Sequence, residues 1–165
     1  MMYLSLLMRT ISLNDIKILI ADDQLEKRKD IERVVLNKFP FALFEHSVSY
    51  NSTARKLKTE SYDIIILDMS MPNFDPKEGS RPTLKALAGK EIMYKMKYRG
   101  IKIPVIVVTQ FDIFGRHLDA LGIDDLVSDL ENNFPEFFVA CIFYNTQSAS
   151  WETELVFKIS ELMNG

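Results

Sequence analysis

The 165 residues include one cysteine, two histidines, six glycines and six prolines, and charge of neither sign predominates. A lone Cys141 excludes a disulfide framework within the chain. Its position in the apolar run Phe137 to Phe143 reads as a buried, inert thiol. His46 and His117 have no metal-ligand spacing. No apolar run approaches the roughly 20 residues that a membrane helix needs. The short patch Leu4 to Met8 lacks the basic flank and cleavage pattern of a secretory signal, so residues 1–15 are expected to be an N-terminal extension. A reducing, cytoplasmic setting is the corresponding expectation. Net charge of -3 and a pI near 5.4 give no bulk reason to expect nucleic-acid or membrane binding. The basic triplet Lys27-Arg28-Lys29 sits between Glu26 and Asp30 and reads as a solvated helix face.

What is present is an ordinary globular balance, 47% hydrophobic and 26% charged, in a chain long enough for one domain with a full core. Near-continuous apolar runs at Ile16 to Ala21, Tyr62 to Leu67 and Ile103 to Val108 predict strands buried on both faces. Phe137 to Tyr144 is a fourth run, and Ala42 to Val48 a weaker strand. Helices are expected over Leu25 to Lys38, Ser52 to Thr59, Lys90 to Tyr98 and Ile113 to Leu121, with Asn51 or Ser52 capping the second. Trp151, Leu155, Ile159 and Leu162 give a final amphipathic helix.

Strand and helix alternate five times. The expectation is an α/β domain over 16–165 with a doubly wound, five-stranded parallel sheet and helices on both faces. Enlarged loops are expected at about 73–89 and 124–136.

In such sheets the functional rim lies beyond the carboxyl ends of the strands. Asp22 and Asp23 follow the first strand there, Asp68 the third and Thr109 the fourth. Crowded carboxylates repel one another unless a cation compensates. Mg²⁺ suits such oxygen donors, and an aspartate beside it is a competent nucleophile toward phosphorus.

These residues resemble the receiver domain of two-component response regulators. The resemblance rests on Ile18-Leu19-Ile20-Ala21-Asp22-Asp23, on Tyr62-Asp63-Ile64-Ile65-Ile66-Leu67-Asp68-Met69-Ser70-Met71-Pro72, and on Ile103-Pro104-Val105-Ile106-Val107-Val108-Thr109. It implies that Asp68 accepts a phosphoryl group and that Thr109 contacts it. Mg²⁺ would bind Asp22, Asp23, Asp68 and the Ser70 backbone carbonyl. The phosphoryl donor would be a sensor histidine kinase or a phosphotransfer protein, the output an unidentified protein, and the chemistry limited to self-phosphorylation and self-dephosphorylation.

Two departures follow Thr109. A small residue is usual next, and Gln110 stands there. The lysine that the family carries at the end of the fifth strand is missing whether that strand is Phe137 to Tyr144 or the segment after Gly122-Ile123-Asp124-Asp125. Lys158 lies too deep in the last helix to replace it. These departures and the enlarged loops support the alternative of a receiver-like interaction domain not switched by phosphorylation. Phosphatases of the haloacid dehalogenase type want a second Asp where Ser70 stands. No Gly-rich loop follows the first strand to cradle a nucleotide or flavin phosphate.

Overall fold

The structure is a computed structural model and describes residues 15–81, 83–110 and 122–165. In chain order the elements are β1 (Lys17–Ala21), α1 (Leu25–Lys38), β2 (Leu43–Ser47), α2 (Tyr50–Thr59), β3 (Ile64–Leu67), β4 (Met71–Pro72) and β5 (Leu84–Lys85). There follow α3 (Ala88–Arg99), β6 (Val105–Thr109), α4 (Ile123–Asn133), β7 (Phe138–Phe143) and α5 (Ser150–Asn164).

The main sheet has the order β2-β1-β3-β6-β7 and every pairing is parallel. The doubly wound expectation therefore holds, and the two-residue side-chain period explains its two cores. Leu19, Ile65, Leu67, Val105 and Val107 face α2, α3 and α4, packing on Leu57, Ile92, Met96, Leu126 and Leu130. Ile18, Ile20, Ile64, Ile66, Ile106 and Val108 face α1 and α5, packing on Ile31, Val35, Leu155 and Ile159.

Several local expectations need correction. The segment 124–136, expected as an enlarged loop, is largely the helix α4. Its acidic residues concealed an inward stripe of Leu126, Leu130 and Phe134 at four-residue spacing. Gly122 is the N-cap of this helix, which makes β7 the fifth strand of the sheet. Part of 73–89 is structured: β5 pairs antiparallel with β4, and α3 begins at Ala88. The cap of α2 is Ser49, which forms a capping box with Ser52, and not Asn51 or Ser52. The helix expected at 113–121 and residues 1–14 of the expected extension lie outside the described residues.

Cys141 is partly buried in β7, and burial pushes its thiol up to about 12, in keeping with an inert group. Among the described residues no helix is long and apolar enough to cross a membrane.

Ser49 also fastens the loop after β4. Its Oγ accepts the Ser52 N–H at 3.1 Å and donates to Asp75 Oδ1 at 2.6 Å. Ser49→Ala is expected to lower stability by about 1–2 kcal/mol in urea denaturation. An unchanged midpoint would show that the cap contributes nothing.

Candidate functional site

Parallel registry puts Ala21 beside Leu67, and Leu67 beside Val107, so β1, β3 and β6 end on one rim. The Asp68 N–H donates to the Ala21 carbonyl at 2.9 Å, holding the start of the Asp68 segment against the turn after β1. One carboxylate oxygen from each of Asp22, Asp23 and Asp68 lies within 4.8 Å of the others. Asp22 and Asp68 are each 2% exposed, and Asp23 is half-buried. The buried Thr109 hydroxyl donates to Asp68 Oδ1 at 2.9 Å. Ser70, two residues past Asp68, is buried beside the same rim, and among the described residues its Oγ has no hydrogen-bond partner. The strand-end residues expected from the sequence thus converge on one place.

The sequence reading missed Lys27. It is not on a solvated face: it is 1% exposed and among the largest fully buried side chains. Its Nζ lies 2.7 Å from Asp22 Oδ2 and 3.4 Å from Asp68 Oδ2. The signal was the helical period, because Lys27 shares the buried stripe of α1 with Ile31, Val34 and Val35. The next residue, Arg28, donates to the Asp22 carbonyl at 2.7 Å. The Gln24 N–H donates to Asp22 Oδ1 at 2.8 Å, so the start of α1 grips the acidic turn. Gln110 accepts from the Gln24 amide at 3.4 Å, tying the end of β6 to that start.

The Asp22 carboxyl stands raised to about 7, through burial above all and with Asp68 adding to it, against the opposing pull of Lys27. Asp23 is likewise raised, by burial and then by Asp68. Burial by itself would lower the Lys27 ammonium, but Asp68 and Asp22 overcome it and the net direction is up. With all groups ionised, three carboxylates outweigh the buried Lys27 ammonium, even with the Arg28 guanidinium acting on Asp23 from the edge, and the cluster keeps net negative charge. A single divalent cation makes good that deficit, and an all-oxygen donor set suits a hard ion such as Mg²⁺.

The end of β7 carries no lysine. Phe143 is the register partner of Thr109, and the Tyr144 N–H donates to the Thr109 carbonyl at 2.9 Å. The Tyr144 ring lies under Lys27, with Nζ 5.7 Å from its centroid, and packs edge-on against Trp151 at 4.9 Å. Its hydroxyl donates to Asp30 at 2.5 Å. Lys158 pairs along α5 with Glu161. His46 contacts Glu32, and His117 lies outside the described residues.

Over 149 residues the chain is 37% identical to the Detocs response regulatory protein DtcB of Enterobacter cloacae, covering 88% of this chain and 99% of that one. The chain belongs to the response-regulator family as a receiver domain. No family model matches it. The signal receiver domain of a DNA-binding response regulator from Colwellia psychrerythraea superposes with a TM-score of 0.62 at 22% identity, covering 92% of this chain and all of that one. The response regulator TrrA of Thermotoga maritima, in complex with Mg²⁺ and beryllofluoride, gives 0.56 at 15% identity over 88% and 97%. These two likenesses concern the receiver fold, which the sheet order bears out.

The Asp68 segment of this receiver is also shaped from the α3 side. Gly89 donates its N–H to the Met69 carbonyl at 3.0 Å. A Cβ built at Gly89 would come within 2.5 Å of the Asp68 carbonyl oxygen. Backbone cannot yield as a flexible side chain does. Gly89→Ala is expected to cost about 1–3 kcal/mol in denaturant melts. Wild-type stability in that variant would show that α3 does not brace the Asp68 backbone.

Proposed function

We propose that this receiver takes a phosphoryl group on Asp68 from a phosphohistidine of a sensor kinase or phosphotransfer protein, with Mg²⁺ bound, and so changes its contact with an output protein. The observation that carries this reading is a buried Asp68 within 4.8 Å reach of two more carboxylates and hydrogen-bonded by Thr109.

In the transfer, an Asp68 carboxylate oxygen attacks phosphorus in line with the donor bond. A new P–O bond forms, the P–N bond breaks, and its electron pair leaves on the imidazole nitrogen, which later takes a proton from water. Bound Mg²⁺ would neutralise charge on the transferred oxygens and draw the donor phosphoryl toward the acceptor. Asp22, Asp23, Asp68 and the Ser70 carbonyl are the groups to hold it. Thr109 exchanges its bond to Asp68 Oδ1 for one to a phosphoryl oxygen, which stabilises the product and alters the rim. Hydrolysis restores the carboxylate: water attacks phosphorus and inorganic phosphate leaves. The receiver fold that TrrA presents to Mg²⁺ and beryllofluoride supports the reading as an analogy of architecture.

The test uses the full chain with acetyl phosphate and Mg²⁺, read by intact-mass spectrometry. The wild type should gain the mass of one phosphoryl group, removed by chelating the metal beforehand, and Asp68→Asn should gain none. A wild type that stays unmodified, or equal labelling of the Asp68→Asn variant, would refute the proposal.

A further inference from the structure

The fifth-strand terminus of this receiver offers Phe143 and Tyr144 where a cation is expected, yet a buried cation stands at Asp68 all the same. We infer that Lys27, arriving from α1, is the group that contacts and neutralises the phosphoryl group on Asp68, with the Tyr144 ring backing it from the strand end. This rests on Asp68 being the acceptor.

Three observations carry the inference. The Lys27 ammonium is 3.4 Å from Asp68 Oδ2, so it touches a reacting carboxylate and not merely its surroundings. Nζ is buried, with Asp22 Oδ2 at 2.7 Å and Asp68 Oδ2 at 3.4 Å as its two carboxylate partners, and an ammonium has three N–H donors, so a phosphoryl oxygen can be met without giving up Asp22. Its stem is fixed: Lys27 lies on the apolar stripe of α1, and its charge lies over the Tyr144 ring in a cation–π arrangement.

When Asp68 is phosphorylated, one of its oxygens becomes the bridging P–O, and negative charge moves outward onto the phosphoryl oxygens. An ammonium already in contact with that carboxylate meets this charge without reorganisation. Such preorganised donors act most strongly in sites that exclude water. The origin of the cation differs from the family's. It is covalently part of the helix that grips the Asp22–Asp23 turn through Gln24 and Arg28.

The competing role is that of a counter-ion alone, which keeps Asp22 and Asp68 folded without metal. The two roles predict opposite things. A pure counter-ion hinders Mg²⁺, so its removal should tighten the metal and leave the phosphoryl analogue unharmed.

The experiment compares wild type, Lys27→Met and Lys27→Met/Tyr144→Lys as full chains in Mg²⁺. Beryllofluoride affinity is followed by ¹⁹F NMR, labelling by acetyl phosphate by intact mass, and Mg²⁺ affinity by calorimetry. Lys27→Met should lose about 100-fold in beryllofluoride affinity and labelling rate while still binding Mg²⁺. Returning the ammonium to the strand end should recover part of that loss. Beryllofluoride affinity and labelling within twofold of wild type in Lys27→Met would overturn the inference.

Should Lys27→Met fail to fold, the unaltered chain gives the answer through ¹⁵N-lysine NMR. The Lys27 Nζ signal should shift on adding beryllofluoride beyond its position in Mg²⁺ alone, and no shift would overturn the assignment. Labelling that fails in the wild type, or persists in Asp68→Asn, defeats the acceptor reading itself and this inference with it. Labelling that depends on Asp68 but not on Lys27 defeats this inference alone.

Discussion

Asp22, Lys27 and Asp68 form an ion cluster inside the protein, at the one rim where the parallel sheet brings β1 and β3 together. Charges in such a place are costly to desolvate, and breaking a buried pair by removing one partner costs about 3–5 kcal/mol. Much of the surrounding structure serves this cluster. The apolar stripe of α1 delivers the lysine, the Gln24 and Arg28 bonds hold the acidic turn, and the Tyr144 ring closes the far side. Gly89 lets α3 approach the Asp68 backbone closely enough to brace it.

The cluster is nevertheless incomplete in charge. One ammonium against three carboxylates leaves a site short of positive charge, and Asp22 and Asp23 are both pushed toward protonation by burial before their neighbours act. That imbalance connects packing to function. A fold satisfied by its own lysine would have no use for a divalent ion, whereas this one retains a deficit that a divalent ion suits. The proposed phosphoryl chemistry would draw on the same arrangement, since a cation that completes the charge balance also stabilises transferred oxygens.

The fold was legible because buried parallel strands leave continuous apolar runs, and the rim residues Asp22, Asp23, Asp68 and Thr109 directly follow those runs. The acidic helix α4 was harder to read because Asp124, Asp125 and Asp129 outweighed the stripe of Leu126 and Leu130 in composition. Lys27 was misread for a related reason. Its neighbours Glu26 and Asp30 suggested a solvated face, although a residue four before Ile31 and seven before Val34 lies on the inward side of a helix. A charge can reach the same point in space from another element, and linear sequence does not disclose that convergence.

A crystal structure of the full chain with Mg²⁺ and beryllofluoride tests the central claim most directly. Beryllofluoride is expected on Asp68, Mg²⁺ on Asp22, Asp23, Asp68 and the Ser70 carbonyl, and Lys27 Nζ within hydrogen-bonding distance of a fluorine. Lys27 turned away from the beryllofluoride, or beryllofluoride bound at any group other than Asp68, would contradict it.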